Sequence, residues 1–248
     1  MNIEELMSYL EKITLDIEMV KNYDEILKST YIDLENEFFK LKEHAFELSN
    51  YRKTIAVSLE KNIIKECKEL DLEDTQFQII FHTPKELEPL NKEVFKETGI
   101  DEVDFLISFN QGEPLRSLHK VASGGEMSRI MLAFKSYFAN RSLYSLMVFD
   151  EIDTGVSGAT AKKIAKKMAE ISKICQVLCI THLPQVASMG DAHIHIFKEL
   201  IHGRTTTHFK YLNFDERVEE VALMLSGDKM SLYALEHAKA LLEENCNK

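Results

Sequence analysis

The 248-residue chain has no tryptophan, only four prolines and nine glycines, and neither breaker occurs before Pro84 and Gly99. A stretch without proline or glycine lacks the residues that make tight turns, which weighs against the alternative of several core helices in a bundle over the first third. No run approaches the roughly 18–20 consecutive apolar residues that a membrane span needs. The opening Met1-Asn2-Ile3-Glu4-Glu5 has no apolar core of a secretory signal. The four cysteines, Cys67, Cys175, Cys179 and Cys246, lack metal-ligand spacing, so reduced thiols in a cytoplasmic protein are expected. A G-x-x-x-x-G-K-[ST] phosphate loop is absent. Its nearest approach, Gly227-Asp228-Lys229, has neither the upstream glycine nor a Ser or Thr after the lysine. Positive charge is short as well: 30 Lys and Arg face 41 Asp and Glu, a net −11. Residues 1–75 alone hold 18 acidic and 10 basic side chains. That balance excludes a broad electrostatic grip on nucleic acid, so any DNA contact must come from a local patch, a further part, or encirclement.

What the first third does have is a heptad pattern. Counting from Ile3, positions a are Ile3, Leu10, Ile17, Asp24, Tyr31, Phe38, Ala45, Arg52 and Leu59. Positions d are Leu6, Ile13, Val20, Leu27, Leu34, Leu41, Leu48, Ile55 and Asn62, and 15 of these 18 residues are apolar. At 1.5 Å per residue, sixty residues make a coiled-coil arm of roughly 90 Å. Two copies pairing antiparallel could set Asp24 against Arg52, the two charged a positions. Residues 1–70 are therefore read as the arm and 71–248 as a separate lobe.

In the lobe, strands are expected over Gln76–Phe81 and Val103–Phe109 with a short helix over Lys85–Lys96 between them. Helix from Glu126 to about Asn140, strand to Phe149, helix from Ala159 to Ser172 and strand to Thr181 then alternate. Such alternation implies an α/β lobe, a mostly parallel sheet flanked by helices. His193–Lys198 and Thr206–Leu212 read as edge strands about a turn at Gly203, followed by helices over Asp215–Leu225 and Ser231–Glu244.

Three motifs carry chemistry. Ser123-Gly124-Gly125-Glu126 opens a helix: the glycines allow close backbone approach, the free N–H groups face an anion, and Ser123 adds a donor. Ser-Gly-Gly before a helix is also a common cap, so the turn alone decides little. Asp150-Glu151 ends the run Ser145–Phe149, at the end of a strand where parallel sheets place ligands. Asp150 suits Mg²⁺ held through water, and Glu151 suits a general base for an attacking water. Asp153-Thr154-Gly155 lies just behind them, and His182 closes the strand Val177–Thr181, where it can donate to a phosphate or serve as a structural residue. His193 and His195 would share one face of a strand, without an evident third metal ligand. The order of the three motifs is that of the C-terminal half of an ABC-type ATPase site.

The chain resembles the C-terminal half of the RecN family, bacterial DNA-repair ATPases related to SMC proteins. The resemblance rests on Asp101–Ser108, Gly112-Glu113-Pro114-Leu115, Lys120–Ala133, Phe149–Gly158, Val177–Ala187 and Arg217–Ala222. It implies the C-terminal lobe of an ABC/SMC-type ATPase head with a long N-terminal coiled-coil helix. It also implies roles: Ser123, Gly124, Gly125 and Glu126 as the signature that meets ATP bound by a second head, and Asp150 and Glu151 as Walker B acids. Asp153 would fall in the D-loop and His182 at the switch position. ATP and Mg²⁺ would be the cofactors, turned over to ADP and phosphate only together with an N-terminal half that carries the phosphate loop. The implied partners are that half, a second copy of the head and DNA, in the bacterial cytoplasm at the nucleoid, with no membrane. The other readings are a coiled-coil assembly module that does not hydrolyse ATP, and half of another SMC-type ATPase.

Overall fold

A computed structural model describes residues 3–84, 87–88, 94–120, 124–141, 144–150, 152–153, 155–156, 158–201, 204–227 and 230–246. Two compact units divide the chain, one joining Met1–Val57 to Ile79–Asp104 and the other joining Ser58–Gln78 to Phe105–Lys248.

The breaker-free stretch folds as one uninterrupted helix of 67 residues, α1 (Ile3–Glu69). In the first unit its residues 3–37 are exposed on every face. Further along, Ala45 packs with Leu87 and Ile100, and Phe38, Phe46, Val94 and Phe95 close around them. Phe38 meets Phe95 edge-on at 5.9 Å between ring centroids. Ala45, Ser49 and Ala56 are buried and Phe38 and Arg52 half-buried, which selects positions a and e of the heptad. Positions d stay open: Leu41, Leu48 and Ile55 are 48%, 38% and 46% exposed. The segment around residues 83–101 thus takes one flank of the seam and leaves the other free.

Within one chain Arg52 already has partners of its own. Arg52 Nη1 lies 3.4 Å from Asp101 Oδ2, and Nη2 donates to the Thr98 carbonyl at 2.7 Å. Asp101 is buried and also accepts from Ser49 Oγ at 2.7 Å and Thr83 Oγ1 at 2.8 Å. The expected helix over Lys85–Lys96 falls partly outside the described residues, and Leu87, Glu88, Val94, Phe95 and Lys96 are not helical. Instead Lys96 and Gly99 exchange backbone hydrogen bonds in a tight turn, with Gly99 at φ +95°. The positive φ favours glycine, and a Cβ there would also crowd Arg52 Nη1 at 3.1 Å.

Strand β1 (Gln76–His82) pairs with β2 (Glu102–Ser108), and β2 pairs antiparallel with the short β3 (Arg116–Ser117). In the second unit the root of α1 ends in a Schellman cap: Leu72 N–H returns to the Cys67 carbonyl at 3.0 Å while Asp71 adopts φ +60°. A non-glycine residue pays about 1–2 kcal/mol for that left-handed conformation. Asp71 offsets it by accepting from Thr160 Oγ1 at 2.8 Å and from Lys163. Two residues earlier, Glu69 receives the buried Lys167, whose ammonium also faces Glu66 at 3.0 Å and Glu170 at 3.3 Å. Burial pulls the Lys167 pKa down, but the bonds to Glu69 and Glu66 and their charges outweigh it, and the net shift is upward.

These contacts set the arm's root on α3 (Gly158–Ser172), whose buried Thr160, Ala161, Ile164, Ala165, Lys167, Met168 and Ile171 keep a helical period. Ahead of it come α2 (Gly124–Ala139) and β4 (Leu146–Asp150), which pairs in parallel with β5 (Gln176–Ile180). The expected α/β lobe is present, with its parallel pairing in β4–β5. Phe77, Phe105 and Phe134 cluster with centroids 5.4–6.2 Å apart. After a one-turn helix α4 (Pro184–Ala187), β6 (Ile194–Ile201) and β7 (Arg204–Tyr211) form an antiparallel hairpin of their own, longer than expected and not edge strands of the parallel pair. Its turn, with Gly203, lies outside the described residues. The last helices, α5 (Phe214–Ser226) and α6 (Leu232–Cys246), share a core of Val218, Val221, Ala222, Ala234, Ala238 and Leu242. Asn213 and Glu216 cap α5 reciprocally, each side chain accepting from the other's backbone N–H.

Candidate functional site

Because β4 and β5 run parallel, their C-terminal ends share one edge, with Asp150 directly opposite Ile180. Alternation along β4 buries Met147 and Phe149 and turns Val148 and Asp150 to the other, exposed face. Asp150 is therefore presented to solvent, as a residue for a hydrated cation should be. Glu151, the expected base, lies outside the described residues, as does Ser123.

Beyond Asp150 the chain turns inward. Ile152 and Asp153 are buried, and Gly155 at φ +72° lets the backbone reverse into α3. Asp153 is 1% exposed. One of its carboxylate oxygens accepts from the Thr181 hydroxyl, which itself accepts from Leu183 N–H at 3.0 Å. The other, Oδ1, has no hydrogen-bond partner and lies 3.6 Å from His182 Nδ1. The histidine ring is 67% exposed. Two of the expected site residues, Asp153 and His182, are thus brought together. Thr181 belongs with them, and no sequence motif singled it out.

The site is acidic. Burial first, and then the negative charges of Asp153 and Asp150, push the Cys179 thiol up to about 12. Cys179 is therefore a packed thiol and no nucleophile. An anion could approach this edge only with a cation beside Asp150. Among the described residues no group of three or more His, Cys, Asp or Glu could hold a metal by itself. His195 of the expected His193/His195 pair instead meets Glu220 at 2.8 Å.

At the signature turn, α2 begins at Gly124, which is exposed and has open space where a Cβ would stand. The open space beside Gly124 is what a close backbone approach needs. Gly125 and Glu126 are half-buried. Arg129 ties this turn to the arm: Nε donates to the Gly125 carbonyl at 3.3 Å and Nη1 to the Leu70 carbonyl at 3.4 Å. Glu126 and Arg129 line a cavity of about 280 Å³ with Asp71, Glu73, Asp74 and Asn110. Among the described residues no hydrogen bond or ion pair links the signature turn to Asp150, Asp153 or His182.

No protein-family model matches the chain. Known proteins do. DNA repair protein RecN of Halalkalibacterium halodurans is 42% identical over 98% of this chain, and that of Bacillus subtilis 44% identical over 98%. The chain is RecN-like. It spans 42–43% of the length of these two relatives and corresponds to a C-terminal half of RecN. A solved Smc head domain with coiled coil and joint from Pyrococcus yayanosii superposes with a TM-score of 0.55 at 20% identity, over 92% of this chain and 39% of that one. The RecN-like chain therefore shares the fold of part of an SMC head, a lobe with its long coiled-coil helix. Among the described residues no helix is long and apolar enough to cross a membrane. Beside the expected site residues the described structure adds Thr181, which holds Asp153, and Arg129, which holds the Gly125 carbonyl. Both lie inside segments that carry the family resemblance, but nothing in their local pattern assigned them this task.

Proposed function

We propose that this chain is the C-terminal part of a RecN-like, SMC-type ATPase acting in DNA double-strand-break repair. Residues 1–70 serve as one strand of its arm and 71–248 as the C-terminal lobe of its head. The observation that carries this reading is the shared edge of β4 and β5, which sets Asp150 beside the Asp153–Thr181–His182 group in a chain that matches RecN over 98% of its length. In the reading, Asp150 holds Mg²⁺ through water, Glu151 orients and deprotonates the attacking water, and His182 meets the γ-phosphate. Ser123, Gly124, Gly125 and Glu126 contact the nucleotide of a second head, and Asp153 shapes the loop between them. Mg-ATP supplies the phosphoryl group to be transferred. The phosphate cradle comes from an N-terminal half, and DNA is engaged by the whole assembly at the bacterial nucleoid.

An open sheet face supports pairing with such an N-terminal half. Leu146, Val148, Leu178 and Ile180 are each 47–49% exposed on one side of β4–β5. Parallel sheets are ordinarily covered on both faces and contain more than two strands. The open d positions of α1 suit an arm helix from the same half. The chain alone should bind Mg-ATP no tighter than about millimolar, roughly 4 kcal/mol, by calorimetry. Adding a RecN N-terminal half should restore hydrolysis, and Glu151→Gln should then abolish turnover while ATP-bound head dimers persist, because glutamine can hold the water but cannot take its proton. Wild-type turnover by Glu151→Gln would refute the assignment.

A further inference from the structure

The best-defined polar group at the candidate site is one that no motif predicts to act on another residue. Asp153 has both carboxylate oxygens inside the lobe, yet only one is satisfied. The Thr181 hydroxyl is fixed from two sides: it receives Leu183 N–H at 3.0 Å and gives its own hydrogen to Asp153 Oδ2. That bond pins the carboxylate and leaves Oδ1 aimed at the exposed His182 ring, 3.6 Å from Nδ1. A buried carboxylate oxygen without a donor is costly, and the imidazole nitrogen beside it is the group in reach that can supply a proton.

We infer that Asp153 is a positioning residue for His182, holding the imidazole with its proton on Nδ1 and its Nε2 turned outward, and that Thr181 sets the carboxylate for that task. An imidazole held by a carboxylate through one nitrogen has a defined ring direction and a defined tautomer at the other. Nε2 is then the nitrogen that meets the reacting phosphate or water, and any positive charge the ring acquires there is balanced by Asp153. The inference rests on the reading of His182 as the phosphate-facing residue, but the arrangement can be tested without nucleotide.

Asp153→Asn gives a decisive substitution. The Thr181 hydroxyl donates, so it takes the amide oxygen and turns the amide NH₂ toward His182. Nδ1 must then accept, and the proton moves to Nε2. The 248-residue chain, labelled with ¹⁵N at histidine, is examined by long-range ¹H–¹⁵N correlation at about pH 8, where an ordinary imidazole is neutral. The expected spectrum has Nδ1 protonated in the wild type, the same in Thr181→Ser, inverted in Asp153→Asn, and a mixture in Thr181→Val. An Nε2–H tautomer in the wild type, or one unchanged in Asp153→Asn, overturns the inference. Because the readout needs no ATP, a failure here leaves the ATPase reading intact. Loss of that reading through Glu151→Gln would in turn leave the tautomer shift in place.

Discussion

Truncating Asp101 to alanine should open the turn that packs on the arm. Asp101 is 1% exposed at its side chain and accepts from Ser49, Thr83 and Arg52. Hydrogen bonds to a charged group contribute about 1.5–3 kcal/mol each, and they do not add. Breaking a buried ion pair costs about 3–5 kcal/mol when the partner stays buried. Here Arg52 is 32% exposed and can be rehydrated, whereas the Ser49 hydroxyl is fully buried and would be stranded at about 1–3 kcal/mol. The sum settles near 3 kcal/mol, with Asp101→Asn costing less because its amide oxygen keeps one hydroxyl. The Gly99 amide, which donates to the Lys96 carbonyl at 2.9 Å, reports on the turn directly. Its hydrogen-exchange protection should fall about a hundredfold in Asp101→Ala, since each 1.4 kcal/mol is tenfold. A change below about threefold would refute the argument. Acid offers an independent check. Burial pushes the Asp101 carboxyl up, but the Ser49, Thr83 and Arg52 donors outweigh it and hold it below its usual value. Its folded pKa is thus below its unfolded one, so its stabilisation is complete above the unfolded value near 4 and lost as pH falls through the folded one. Wild-type protection at Gly99 should therefore decline below about pH 4, and Asp101→Ala should lack that step.

Lys167→Ala leaves Glu66, Glu69 and Glu170 without their shared cation, and because Glu69 and Glu170 are about half exposed and can be rehydrated, it should destabilise the second unit by about 1–3 kcal/mol in urea unfolding followed by circular dichroism. Since the folded pKa of Lys167 is raised, its contribution is fully present below about pH 10 and is lost only above that, so a cost that varies between pH 6 and 9 would contradict it. The exposed stretch 3–37 of α1 carries heptad side chains that each gain up to about 1.5–3 kcal/mol on full burial. Sedimentation equilibrium at tens of micromolar should report self-association that is lost on deleting residues 1–36, and a monomeric full chain with intact helicity would show the stripe to be tolerated in water.

Much of this molecule can be read along the chain because the signals are local. The lack of breakers before Pro84 dictates one continuous α1, and the apolar runs before Asp150 and Thr181 announce β4 and β5. The acids and the histidine at their ends mark the candidate site, since a strand's end and a parallel pairing follow from local pattern. What remained illegible depends on residues far apart in sequence. Position a of the heptad points to a partner helix, yet Arg52 finds Asp101, 49 residues on, and burial shifts to positions a and e. Gly99, in sequence only the first glycine of the chain, proves to lie beside the Arg52 guanidinium. Asp153 reads only as a loop acid behind the acidic pair, and its burial against Thr181, 28 residues later, shows only in the folded lobe. Residue spacing along a helix or strand is a one-dimensional quantity, so sequence by itself determined the elements and the chemistry at their ends. Which buried charge meets which donor is settled only when distant segments are packed together, because the cost of leaving one unpaired is felt only in the folded interior.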